Sequence, residues 1–190
     1  VIAIENKIDS MMFFSIFVWF GFVRQKYAYF CLAMKVKLLV IGKTDADYFK
    51  QGIDLYIKRL KHYCSFEIIE IADIKNSKNL SEKEQTEKEG EVILSRIENA
   101  DWVSLLDENG KENDSIGFSN VLQKRMNQGL KNLFFVVGGP YGFSEKVYQR
   151  ANEKLALSRM TFSHQMVRLF FVEQLYRGFT ILKGEPYHHK

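Results

Sequence analysis

From Met34 onward the chain alternates between short apolar runs and longer segments with helical spacing, and this alternation constrains the fold most strongly. The run Leu133–Val137 is wholly apolar, as is typical of a strand that is covered on both faces. The predicted strands cover residues 36–41, 66–71, 102–106, 133–137 and 154–157, and the predicted helices cover residues 46–62, 81–99, 115–127, 144–151 and 164–182. Such alternation predicts one α/β domain over residues 34–190, with a mostly parallel sheet flanked by helices.

Local signals refine three of these elements. Ser81 and Glu84 have the spacing of a capping box at the start of a helix. The polar cluster Asp107–Gly110 has turn chemistry and predicts the end of the third strand. The last helix is predicted to open at His164, with Arg168 one turn later on the same face. This helix is apolar nearly all round, which predicts burial in the core or in a dimer interface.

Composition describes an ordinary globular protein with an uneven charge distribution. The 190 residues are 46% hydrophobic and 26% charged, and the two cysteines have no paired spacing. We therefore expect no metal site and a reducing, cytoplasmic setting. Residues 73–114 carry 6 basic and 12 acidic side chains, whereas residues 146–190 carry 8 basic and 3 acidic ones. The basic C-terminal part either faces an anionic partner or is an uneven surface, and charge alone does not decide between them.

Residues 1–33 differ in character from the rest of the chain. The apolar run Met11–Val23 has about 13 residues and is too short to span a bilayer, which takes about 20. We interpret residues 1–33 as an extension outside the domain, irregular or disordered, that arises from upstream translation or a mis-set start codon. The alternative is a secretion signal cleaved after Ala33, although Glu5 and Asp9 lie where such signals carry positive charge.

Three segments at the predicted carboxyl ends of strands are candidates for binding a ligand: Leu106–Lys111, the turn Gly138–Gly142 and the loop Leu157–Phe162. Glycines in the turn Gly138–Gly142 would let backbone amides approach a ligand closely. The turn lacks the spacing of phosphate and dinucleotide loops, so on its own a bare turn is slightly favoured. The loop Leu157–Phe162 offers apolar side chains and hydroxyls suited to an adenine. Taken alone, it reads better as a loop that packs into the core.

Several polar side chains near the C-terminus are candidates for substrate contacts. His164 could orient a substrate or move a proton, although a structural capping histidine is the commoner outcome. Glu173 and Arg177 have the i,i+4 spacing of a simple ion pair. In the tail, Tyr187 could stack on a base and His188 could meet phosphate, whereas a frayed terminus is the default.

Taken together, these segments resemble the ribosomal RNA large subunit methyltransferase H family, which belongs to the SPOUT group of α/β-knot methyltransferases. The resemblance covers residues 34–190, and residues 1–33 lie outside it. Each matching stretch is weak alone, but their order and spacing are specific. The matching stretches are MKVKLLVIGK, YIKRL, FEIIEI, KEGEVIL, LLDENGK, VVGGPYGF, LALSRMTFSHQMVRLFFVEQLYRGF and GEPYHHK.

The resemblance implies a fold, an activity and partners. It implies a deep C-terminal trefoil knot and a homodimer. The implied enzyme uses S-adenosyl-L-methionine to methylate N3 of a pseudouridine in 23S rRNA, in the stem-loop at the decoding centre of the assembled 70S ribosome, without metal or membrane. The implied cofactor contacts are Leu106, Gly138, Leu157, Ser158, Arg159, Met160, Thr161 and Phe162. The implied catalytic and substrate-side residues are His164, Arg168, Glu173, Tyr176, Arg177, Tyr187 and His188.

In this scheme the proton on N3 is removed with help from His164, Glu173 or His188. Arg168 and Arg177 would hold the RNA backbone or stabilise developing negative charge. The tail could reach the target nucleotide from the partner subunit. Three alternatives remain at this point: a ribosome-associated binding protein without catalysis, a knotted methyltransferase that acts on transfer RNA, and a secreted binding protein.

Overall fold

The computed structural model describes residues 34–74 and 80–188. The predicted extension over residues 1–33 and the last two residues of the tail lie outside this description. The strands are β1 Lys35–Ile41, β2 Ser65–Ile71, β3 Trp102–Glu112, β4 Asn132–Val137 and β5 Glu153–Ala156. The helices are α1 Asp47–Leu60, α2 Glu82–Leu94, α3 Ser115–Asn127, α4 Glu145–Arg150 and α5 Met166–Lys183.

The five strands form one sheet in the order β2-β1-β4-β3-β5, and every pairing between neighbours is parallel. Successive side chains of a strand point to opposite faces, so β1 contributes Leu38 to one core and Leu39 to the other. Helices α1, α3 and α5 cover the first face, and α2 and α4 cover the second. The predicted three-layer α/β class is therefore confirmed. The trefoil knot stays a prediction, because strand pairing does not report how the chain crosses itself.

Most predicted elements lie within two residues of those observed, and the capping box at Ser81 is present. Two boundaries were wrong, and a third difference places His164 outside its predicted helix. Helix α2 ends at Leu94, not at residue 99, and α5 begins at Met166, so that His164 precedes the helix. Strand β3 continues to Glu112 through the predicted turn.

The continuation of β3 has a steric explanation at Gly110. Residues 107–110 interrupt the pairing with β5, which resumes where Lys111 lies opposite Leu155. A Cβ atom on Gly110 would lie 2.7 Å from the backbone of Leu155, so glycine permits this close approach. Residues 107–110 therefore form an irregularity in the pairing of β3 with β5, and the turn that their sequence predicted does not form.

Among the described residues, no helix is long and apolar enough to span a membrane.

Candidate functional site

A cavity of about 410 Å³ lies at the carboxyl edge of the sheet. Three segments line it: the end of the regular part of β3, the glycine turn after β4, and the loop after β5. The lining residues are Leu106, Asp107, Glu108, Asn109, Val137, Gly138, Gly139, Pro140, Tyr141, Gly142, Phe143, Tyr148, Leu155, Leu157, Ser158, Met160, Thr161, Phe162, His164 and Val167. All three strand-end segments singled out from the sequence thus contribute to one cavity, at the edge where ligands of parallel α/β sheets bind.

The cavity brings together seven of the eight expected cofactor contacts. They are Leu106, Gly138, Leu157, Ser158, Met160, Thr161 and Phe162. His164 lines the same cavity from the segment before α5. Arg159 does not line it, since its guanidinium donates to the Glu108 carbonyl at 3.3 Å and forms an ion pair with Glu112 at 3.2 Å. We interpret Arg159 as a link between the β5 loop and β3.

Hydrogen bonds hold the loop after β5 in place. Thr161 Oγ1 donates to Glu108 Oε2 at 2.7 Å, which ties the loop to the end of β3. The backbone N–H of Met160 donates to Ser158 Oγ at 3.0 Å, a local turn that hydroxyl side chains favour. The Met160 side chain is 74% exposed. The loop therefore presents apolar side chains around the cavity and does not bury them all in the core.

The glycine turn after β4 is shaped by contacts within the protein. Gly142 has φ of +80°, which glycine adopts without strain. A Cβ atom on Gly138 would lie 2.8 Å from the carbonyl oxygen of Gly142, and one on Gly139 would lie 2.2 Å from Glu89 Oε2. Gly138 therefore requires glycine because of a close approach to backbone inside the turn, whereas the atoms nearest to Gly139 belong to the Glu89 carboxylate of α2.

Carboxylates dominate the charge around the cavity. Tyr148 OH donates to Asp107 Oδ2 at 2.7 Å, and burial together with this carboxylate raises the pKa of Tyr148 to about 12. Sequence reasoning missed Glu89, which is 3% exposed on α2. Burial raises the pKa of the Glu89 carboxyl, Asp73 adds to the rise, and Gln85 and His164 oppose it. Glu89 looked like one more charge on a polar helix, and its burial depends on contacts that spacing does not reveal.

The expected substrate-side residues of α5 and the tail form a second cluster. Arg177 forms an ion pair with Glu173 at 2.6 Å, and its guanidinium lies 4.8 Å from the centre of the Tyr187 ring. Tyr187 OH donates to Glu173 Oε1 at 3.1 Å and lies 3.3 Å from Tyr56 OH. The tail is therefore ordered on α1 and α5 as far as it is described.

Two further residues complete this tail cluster. The Tyr176 ring meets the Tyr187 ring edge to face, with centroids 4.8 Å apart. His188 Nδ1 is buried and has no hydrogen-bond partner among the described residues. None of the residues of this tail cluster lines the cavity of the same chain.

Arg168 lies in neither group. It is 1% exposed, and its guanidinium donates to Thr44 Oγ1 at 2.9 Å and to the Ile41 carbonyl at 2.5 Å. Burial lowers the pKa of Arg168, and nearby carboxylates, Glu70 first among them, oppose that shift. The expectation that Arg168 and His164 project from the same face of the helix was wrong, because His164 precedes α5 and Arg168 points towards β1.

Comparison with known proteins identifies the family. A family model described as "Predicted SPOUT methyltransferase" matches residues 34–188. The chain belongs to the SPOUT methyltransferase family. Its SPOUT relatives include a protein of Christiangramia forsetii and one of Flavobacterium johnsoniae, each 62% identical over 157 residues, and one of Parabacteroides distasonis, 60% identical. Each match covers 83% of this chain and all of the relative, and each relative is named "Ribosomal RNA large subunit methyltransferase H".

Membership confirms the predicted family and the prediction that the chain is a methyltransferase. Within the described parts of this SPOUT chain, no group of three or more His, Cys, Asp or Glu side chains could hold a metal ion. The cavity at the carboxyl edge of the sheet is the candidate site for the methyl donor of the family.

Proposed function

We propose that this enzyme uses S-adenosyl-L-methionine to methylate N3 of a pseudouridine in 23S rRNA. The target nucleotide lies in the large-subunit stem-loop at the decoding centre of the assembled 70S ribosome, and the enzyme acts as a homodimer in the cytoplasm. The observation that carries this proposal is the 62% identity to full-length relatives named as large-subunit rRNA methyltransferases.

The cavity fits the proposed cofactor in size and chemistry. Its volume falls within the range of about 300–1,000 Å³ that is typical of small-molecule sites. Leu157 and Phe162 offer apolar surface for an adenine, and Asp107 and Glu108 place negative charge near a cationic ligand. When bound, the cofactor supplies an already activated methyl group. The protein must orient the target nitrogen towards it and help remove a proton.

The substrate-side roles divide between the two clusters. His164 lines the cavity, where an imidazole could accept the N3 proton. Tyr187 and His188 belong to the tail, with Glu173 and Arg177 holding Tyr187 in place. We propose that Tyr187 and His188 contact the target nucleotide while Arg177 neutralises phosphate charge. For Arg168 the contacts to β1 support a different role, that of an anchor for α5.

The separation of the clusters supports an active site shared between two subunits, with the cavity of one subunit facing the tail of the other. The test mixes two inactive variants. Thr161→Arg fills the cavity from an exposed lining position, and Tyr187→Ala removes the tail aromatic. A mixed dimer then contains one intact composite site, so methylation should return on mixing. No recovery in verified mixed dimers would place both parts of the site in one subunit.

The substrate is tested on ribosomes from a strain that lacks the gene. A methyl group on N3 occupies the pairing edge of the base, so it should stop reverse transcription at the modified pseudouridine. We expect no stop in rRNA from the deletion strain. The stop should return when its purified 70S ribosomes are incubated with enzyme and cofactor. A stop that persists in the deletion strain would refute the proposed function.

The tail is tested separately from the cavity. Tyr187→Ala and His188→Ala should each lower methylation by on the order of a hundredfold, as loss of a positioning or proton-transfer group does. Affinity for S-adenosyl-L-methionine, measured by calorimetry, should remain within about twofold, since neither residue lines the cavity. Equal loss of cofactor binding and methylation would contradict the assignment of these residues to the substrate side.

A further inference from the structure

Glu89 is a buried carboxylate whose charge is incompletely compensated by the protein. It lies on α2 with 3% of its surface exposed. Gln85 Nε2 donates to Glu89 Oε1 at 2.8 Å, whereas Oε2 is buried without a hydrogen-bond partner among the described residues. A buried carboxylate oxygen in this state is costly unless a further positive charge or donor comes close.

The uncompensated oxygen lies directly behind the cavity wall. A Cβ atom on Gly139 would be 2.2 Å from Glu89 Oε2, so the carboxylate lies against the Cα of a glycine that lines the cavity. His164, another lining residue, is close enough to interact electrostatically with Glu89. Any ligand in this cavity is separated from the Glu89 charge by a strip of glycine backbone.

We propose that Glu89 is a specificity-determining residue that makes the cavity prefer a cationic ligand, the sulfonium of S-adenosyl-L-methionine, over the neutral thioether left after methyl transfer. This inference rests on the proposed cofactor. Glu89 acts through space from behind Gly139 and does not touch the ligand. The product, S-adenosylhomocysteine, has lost the positive charge at sulfur, so it loses this attraction and leaves more readily.

Burial is what gives Glu89 this effect. Asp107 and Glu108 also line the cavity, but they are half-buried and exposed respectively, so water screens their charges. Glu89 is shielded from water, and its field acts through protein of lower effective dielectric. For a separation of about 10 Å and an effective dielectric constant of ~20, one elementary charge changes a binding constant roughly tenfold.

The experiment measures the affinities of both ligands by calorimetry at pH 8, because an alkaline pH favours the ionised form of the carboxyl. The variant is Glu89→Gln, which keeps the shape and removes the charge. The control is Glu91→Gln, an exposed position on the same helix. In Glu89→Gln we expect affinity for S-adenosyl-L-methionine to fall about tenfold while affinity for S-adenosylhomocysteine changes less than twofold. Glu91→Gln should leave both affinities unchanged, and Glu89→Asp should restore part of the preference.

The outcomes separate this inference from the proposed function. Wild-type protein that binds neither ligand would refute the proposed cofactor itself. If wild type binds both and Glu89→Gln weakens them equally, or binds neither, Glu89 supports the glycine turn only and the inference is overturned. An unchanged ratio of the two affinities in Glu89→Gln also overturns it. A lowered ratio that Glu89→Asp partly rescues supports it.

Discussion

The role of Arg168, as an anchor for α5 or as a contact with RNA, can be tested by a single substitution. The perturbation is Arg168→Met, which keeps much of the side-chain volume and removes the guanidinium. In the wild type this group makes two buried hydrogen bonds that join α5 to the end of β1, one to Thr44 Oγ1 and one to the Ile41 carbonyl. If Arg168 anchors the helix, the main effect of the substitution is a loss of protein stability, not the loss of a contact with RNA.

The magnitude follows from these two bonds. A hydrogen bond from a charged donor contributes about 1.5–3 kcal/mol, so losing both costs roughly 3–6 kcal/mol. Part of this is offset because the variant no longer buries a charge. We expect a net loss of about 3 kcal/mol in the free energy of unfolding, which in a domain of this size lowers Tm by roughly 6–12 °C.

The assay is urea unfolding at one fixed protein concentration, since association into the proposed homodimer would add to the apparent stability. The matched control is Arg177→Met, because the Arg177 ion pair with Glu173 is partly exposed and such pairs contribute about 1 kcal/mol or less. The anchor role predicts a large loss for Arg168→Met and a small one for Arg177→Met. Unchanged stability together with lost methylation in Arg168→Met would refute it and return Arg168 to the substrate side.

Two further predictions concern backbone packing and alkaline pH. Gly110→Ala should destabilise the protein by several kcal/mol in urea unfolding, because its Cβ would lie 2.7 Å from the Leu155 backbone. The control is Gly129→Ala, at a glycine with φ of +69° and open space around it, which should cost about 1 kcal/mol. The pKa of Tyr148 is raised to about 12 beside Asp107, so its contribution to stability is intact below pH 10 and is lost as pH rises towards 12. Tyrosinate absorbance and stability of Tyr148→Phe across that range check the second prediction.

Periodicity predicted the sheet and helices because burial in this fold repeats along the sequence. Strand β4 is buried on both faces, as its unbroken apolar run predicted. Helix α3 matched its predicted bounds at both ends, with the side chain of Asp114 accepting from the Gly117 N–H at its start. In these segments the local signals and the tertiary contacts favour the same structure.

The errors occurred where a contact distant in sequence overrides a local signal. The cluster Asp107–Gly110 has turn chemistry, yet pairing with β5 carries β3 on to Glu112. Glu89 belongs to a run of charges typical of a solvated helix face, and only its packing against Gly139 reveals that it is buried. Neither effect is visible in a window of neighbouring residues, because both depend on which segments meet across the sheet.

The geometry of α5 explains why a second subunit enters the proposed mechanism. Val167, near its start, lines the cavity, and Glu173 holds Tyr187 about 9 Å further along the helix axis. For Tyr187 to reach the cavity of its own chain, the tail would have to travel back along α5. It would also have to break the bonds from Tyr187 to Glu173 and Tyr56. A tail that stays in this position could contact the cavity of a second subunit without breaking these bonds. The ordered tail therefore favours an active site shared between subunits.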